Sequence, residues 1–206
     1  MTRIKYCGIT RKEDILAVNA ILPDYIGFVF WERSKRYVTE REAKELKSIL
    51  SPRIKAVGAF VDADKEYVAE LLNGDIIDCA QLHGSEDETY IEELRALSAK
   101  PIIKAYKISS EKDIERARAS SADYELLDAG MGEGRSFNWS LIEALDREYF
   151  LAGGLNPRNA SDAIALLHPY ALDVSSGIET DGRKDIEKMR SFAEACSIKR
   201  KEADHD

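Results

Sequence analysis

The chain has 206 residues, 44% of them hydrophobic, enough for one compact domain with a large core. Its 30 Lys and Arg face 38 Asp and Glu, a net charge of -8, and such an acidic surface argues against nucleic acid or an anionic membrane as partner. Cys7, Cys79 and Cys196 are scattered, with no CxxC or Cys/His spacing, which argues against a disulfide framework or a zinc site and fits a reducing cytosol. The start MTRIKYC lacks the apolar region of a signal peptide, and no apolar run approaches the roughly 20 residues of a membrane helix. A soluble, cytoplasmic protein is expected.

In chain order, apolar β-rich runs fall at 3–7, 25–30, 54–61, 79–83, 102–106, 124–128, 149–154 and 171–177. Helix-type spacing fills the intervals at 15–22, 39–50, 64–73, 86–98, 111–119, 139–146, 158–167 and 183–195. Thr10 with Asp14, Thr39 with Glu42, and Ser109 or Ser110 before Glu111 are starting signals. Each unit of about 25 residues is one strand and one helix, and the strands read as continuous apolar runs, the mark of a parallel sheet covered on both faces. Eight such units predict a closed (β/α)8 TIM barrel, with a doubly wound open sheet as the alternative. Residues 1–198 form this single domain, and the polar segment 199–206 is expected to be a disordered tail.

In a barrel of this kind chemistry gathers where strands end. Strand 1 ends in Cys7, strand 4 carries Gln81 followed by His83, strand 6 ends in Asp128 and strand 8 carries Asp173. Arg36 lies in the loop after strand 2, where its planar guanidinium suits a carboxylate. Gly153 and Gly154 after strand 7, and Ser175, Ser176 and Gly177 after strand 8, form a candidate phosphate grip of backbone N–H groups and hydroxyls. The stretch AGMGEGRSFNW after Asp128, with Gly130, Gly132 and Gly134, reads as a mobile loop able to cover a site. Cys79 and Cys196 read as core cysteines.

The strings KYCGIT, GFVF…SKRYVT, AVGAFVD, QLHG, LLDAGMGEGRSFNW, AGGLNPRN and ALDVSSGIE, in that order, closely resemble phosphoribosylanthranilate isomerase of tryptophan biosynthesis, from Lys5 to about Phe192. The resemblance implies a cytoplasmic isomerase that performs an Amadori rearrangement with no cofactor and no metal. It assigns Cys7 as general base and Asp128 as general acid. Arg36 would hold the anthranilate carboxylate, and Gly153, Gly154, Ser175, Ser176 and Gly177 the phosphate. Asp173 would meet a hydroxyl or the aminated centre, with Gln81 and His83 in the mouth. A base at Cys7 must work as thiolate, so its pKa is expected to be lowered by the cationic intermediate or by nearby positive groups including Lys5 or Arg36. Two positions depart from the usual GxGKxFDW pattern: Arg135 stands for a lysine and Asn138 for an aspartate.

Other phosphate-gripping barrels are the nearest rivals. A synthase of indole-glycerol phosphate would be expected to place a lysine at the catalytic position of strand 1, and a ribulose-phosphate epimerase needs metal-binding histidines. This chain offers only His83, His168 and His205. A catalytically silent phospho-ligand sensor is the alternative from another class. The sequence leaves monomer and homodimer both open.

Overall fold

The computed structural model describes residues 2–128 and 147–202. Its strands are β1 (Arg3–Cys7), β2 (Tyr25–Val29), β3 (Lys55–Phe60), β4 (Cys79–Leu82), β5 (Ile102–Lys107), β6 (Tyr124–Asp128), β7 (Tyr149–Ala152) and β8 (Ala171–Val174). They pair in sequence order, every neighbour parallel, and β8 returns to β1 to close the barrel. The helices are α1 (Lys12–Ile21), α2 (Glu40–Ser48), α3 (Lys65–Asn73), α4 (Glu88–Leu97), α5 (Glu111–Arg118), α6 (Ala160–Leu167) and α7 (Ile186–Glu202). The expected helix at 139–146, the loop with Gly130, Gly132 and Gly134, and Arg135 and Asn138 lie outside the described residues, as do 203–206.

The helix starts follow from local hydrogen bonds. At α2 the Glu42 backbone N–H donates to Thr39 Oγ1 at 3.2 Å, and the Thr39 N–H donates to Glu42 Oε2 at 2.8 Å, a reciprocal box that satisfies two donors. Asp113 accepts from the backbone N–H groups of Ser109 and Ser110 ahead of α5. Asp14 does the same for Thr10 and Arg11, so α1 begins at Lys12, a turn earlier than its apolar run, with Arg11 at the capping position.

Alternation along each strand divides the apolar residues between two cores. The larger, including Tyr6, Phe28, Phe60 and Phe192, lies between sheet and helices. The smaller fills the barrel with Val57, Cys79, Ile103, Leu126 and Phe150. Its floor is aromatic: Tyr25 and Tyr170 share a hydroxyl hydrogen bond of 3.0 Å, Tyr170 donates to Tyr124 at 3.3 Å, and the Arg3 guanidinium sits 4.1 Å from the Tyr170 ring centre. With that end closed, the barrel opens at the strand C-termini.

One element was absent from the sequence reading. Glu179–Thr180 (β9) and Arg183–Lys184 (β10) form an antiparallel hairpin around Asp181 and Gly182, both with positive φ, at 52° and 74°. This Asp-Gly turn suits a two-residue hairpin, and it delays α7 to Ile186.

Candidate active site

Cys7 follows Lys5 on the inner face of β1, the face that also carries Arg3. An added Cβ at Gly27 on β2 would lie 2.8 Å from Cys7 Sγ, so the glycine makes room for the thiol. Asp173 is the register partner of Lys5 on β8, and Gln81 occupies the inner face of β4. These strand ends surround a cavity of about 360 Å³. Cys7, Arg36, Gln81, His83, Asp128, Gly153, Gly154, Asp173, Ser175 and Ser176 all line it. Trp31, Phe60 and Leu155 supply apolar wall.

Gly177 does not line the cavity. A Cβ there would fall 1.9 Å from the Leu155 carbonyl oxygen. Its missing side chain therefore lets the loop after β8 pack against the loop after β7. Gly153 and Gly154 adopt φ of 95° and 61°, left-handed conformations that favour glycine. Ser175 Oγ donates to the Cys7 carbonyl at 3.0 Å, tying that loop to the end of β1.

A buried polar chain crosses the cavity floor. Lys5 is fully buried, and its Nζ donates to Asp173 Oδ2 at 2.7 Å and to Gln81 Oε1 at 2.8 Å. Gln81 Nε2 then lies 2.9 Å from His83 Nδ1. Asp173 is 8% exposed, and its Oδ1 has no hydrogen-bond partner among the described residues. Burial pushes the His83 imidazole below its ordinary pKa; Asp128 and Asp173 oppose this, whereas Lys5 and Lys104 reinforce it.

At the rim, Arg36 donates through Nε and Nη2 to the two oxygens of Glu179, each at 2.7 Å. Lys184 donates to Glu179 Oε1 at 2.7 Å and to the Ser175 carbonyl at 2.9 Å. Burial raises the Glu179 carboxyl, but hydrogen bonds from Arg36 and Lys184 outweigh it and hold the pKa down at about 2. The hairpin therefore couples Arg36 to the candidate phosphate loop. Glu179 and Lys184 were missed by the sequence reading, and the Asp-Gly dipeptide at 181–182 was the available signal.

The part of the Cys7 pKa expectation that rested on nearby positive groups is corrected. Burial pushes the thiol up, Asp173 adds to the rise, and the positive charges of Lys5 and Lys184 recover only part of it. Desolvation of the thiolate outweighs the attraction because the Lys5 charge is already shared with Asp173.

Residues 4–195 match the family model for N-(5'-phosphoribosyl)anthranilate (PRA) isomerase. An enzyme of that name from Acetivibrio thermocellus is 43% identical, over 93% of this chain and 94% of its own length. One from Clostridium acetobutylicum is 42% identical, over 93% and 96%. The crystal structure of the Thermotoga maritima phosphoribosyl anthranilate isomerase superposes with a TM-score of 0.89 at 36% identity, covering 96% of this chain and 99% of that one. A second structure of the isomerase, in complex with reduced 1-(o-carboxyphenylamino)-1-deoxyribulose 5-phosphate, gives 0.86 at 35% identity over the same shares. With its barrel closed, its polar strand ends gathered on one cavity and this likeness running along almost its whole length, the chain belongs to the phosphoribosylanthranilate isomerase family.

Proposed function

We propose that this isomerase converts N-(5-phosphoribosyl)anthranilate into 1-(2-carboxyphenylamino)-1-deoxyribulose 5-phosphate with Asp128 as general acid and Cys7 as general base. The observation that carries the assignment is the cavity itself: Asp128 and the Cys7 thiol line it together, with the glycine and serine loops on its rim. Asp128 gives a proton to the furanose ring oxygen as the C1′–O bond breaks, and the anilino nitrogen supplies the electron pair, leaving a protonated Schiff base. That cation acidifies C2′–H. The Cys7 thiolate takes this proton, and the resulting enolamine tautomerises to the ketone. The cation also forms close to the thiol, drawing its pKa back down in the bound complex.

Gly153, Gly154 and Ser176 would grip the phosphate through backbone N–H groups and hydroxyl, with Ser175 and Gly177 holding the shape of that loop. Arg36 spends Nε and one Nη2 hydrogen on Glu179, so its Nη1 hydrogens and the second on Nη2 are left for the anthranilate carboxylate. The enzyme would act in the cytoplasm, with a small phosphorylated substrate as its partner and no nucleic acid, as a monomer or a homodimer. A Thermotoga maritima relative is described as dimeric, and Leu16 and Leu166 expose 66% and 59% of their surface on the outer helices. No helix among the described residues is long and apolar enough to cross a membrane.

The test is turnover of freshly generated substrate, followed by loss of anthranilate-type fluorescence, for the wild type beside Cys7→Ala and Asp128→Asn. Both variants should lose turnover while still binding a product analogue. A wild type that binds the analogue without turning substrate over would make the protein a phospho-ligand sensor.

A further inference from the structure

Beyond the partial pull of its charge on the Cys7 thiol, Lys5 has no role in the chemistry or binding described above, yet it is the most buried charge at the cavity floor. An ammonium has hydrogens to give and no lone pair to offer. The Gln81 atom that meets Lys5 must therefore be the carbonyl oxygen, and the atom that meets His83, 2.9 Å away, must be the NH2. An amide nitrogen only donates, so His83 Nδ1 accepts and carries no proton. The proton of the neutral imidazole then sits on Nε2. On its other side Lys5 occupies Asp173 Oδ2, leaving the buried Oδ1 without a partner among the described residues on a side chain that lines the cavity.

We propose that Lys5 is a positioning residue: its ammonium fixes the hydrogen-bond polarity of the mouth, presenting Asp173 Oδ1 as an acceptor and His83 Nε2–H as a donor to the bound aminoaldose phosphate. The ligand has matching groups. Its anilino N–H and sugar hydroxyls can donate to Asp173 Oδ1, and its sugar and carboxylate oxygens can accept from His83. The groups facing His83 are Gln81, Asp128 and the Lys5–Asp173 pair, with Lys104 further round on β5; burial keeps the ring neutral among them. The proposal rests on the isomerase reading for its ligand, although the polarity itself follows from the hydrogen bonds alone.

The experiment is 15N NMR of histidine-labelled protein, with His83 distinguished from His168 and His205 by comparison with His83→Asn, alongside kcat and KM. Wild type should show His83 protonated at Nε2 and bare at Nδ1. Gln81→Glu keeps an acceptor for Lys5 but replaces the NH2 by an oxygen that only accepts, so His83 must move its proton to Nδ1 or hold two. The expected loss is about 10²-fold in kcat with a smaller change in KM. Lys5→Met should mix the two tautomers, with folding checked by circular dichroism; should it fail to fold, Gln81→Glu decides alone. A wild-type His83 protonated at Nδ1, or a Gln81→Glu protein with unchanged tautomer and kcat, overturns the proposal. A wild type with the stated tautomer but no turnover would instead count against the isomerase reading and leave the polarity standing.

Discussion

The two ends of the barrel are built from the same eight strands and use their polar atoms in opposite ways. At the floor, the hydroxyls of Tyr25, Tyr124 and Tyr170 bond to one another and Arg3 covers a ring, so polarity is consumed in closing the end. At the mouth, Lys5, Gln81 and His83 are bonded in a line that still leaves Asp173 Oδ1 buried without a partner among the described residues. A buried acceptor of that kind costs stability, and the mouth carries the cost where a ligand can repay it. Strand ends thus separate into a scaffold end and a reactive end.

The largest test of this division falls at the mouth. Cys7→Ala and Asp128→Asn should each lower kcat by about 10²- to 10⁴-fold, with melting temperatures close to wild type, because both side chains line the open cavity and not the packed core; fluorescence assays and calorimetry measure the two quantities separately. Gly177→Ala comes next and should affect both. Its Cβ would meet the Leu155 carbonyl at 1.9 Å, so the β7 and β8 loops must separate. Unfolding titrations should register about 1–3 kcal/mol, and KM for the phosphorylated substrate should rise.

Two carboxylates provide a comparison in pH. Glu179 at the mouth has a folded pKa of about 2, below its ordinary value. It binds fewer protons folded than unfolded, so its contribution is present above about pH 4.3 and lost as pH falls toward 2. Glu125 lies in the scaffold, its side chain fully buried 2.7 Å from Arg147, yet neither of its oxygens receives a hydrogen bond among the described residues. The Arg147 N–H groups point instead at the carbonyls of Ser120 and Ala122. Burial raises this carboxyl to about 7 against the pull of Arg147. Here the folded state holds the extra proton, so stability falls as pH rises from about 4.3 to 7 and stays lower above. Glu125→Gln should therefore raise the melting temperature at pH 8 and change it little at pH 4, whereas Glu179→Gln should flatten the acid limb below pH 4.

The smallest effect belongs to the floor. Tyr170→Phe removes the hydroxyl that joins Tyr25 to Tyr124 and should cost about 1 kcal/mol, a melting shift of roughly 2–4 °C, with kcat unchanged. A change in kcat from this substitution would show the two ends to be coupled.

Much of this plan was legible in the chain. Continuous apolar runs at a regular period implied parallel strands buried on both faces; Cys7 and Asp128 stood at the ends of such runs, and Asp173 lay within the last of them. The glycine pairs marked where a backbone bends or approaches closely, although Gly177 serves loop packing and does not line the cavity. Less could be read where a residue's meaning depends on distant partners. Lys5 in RIKYC looks like one polar residue of a strand, and only pairing with β8 and the inward turn of β4 surround it with Asp173 and Gln81. Glu179 and Lys184 sit in two-residue strands too short for a periodic signal.

The sequence by itself determined the repeat, the faces of the strands and helices, and the chemical types available at each strand end, because these depend on spacing along the chain. Tertiary structure alone decided the direction of the Cys7 shift, the orientation of the Gln81 amide, the proton position on His83 and the engagement of Arg36 by Glu179. Those properties arise from desolvation and from charges brought within a few ångströms by closure of the barrel, and electrostatic interaction depends on distance and burial in space.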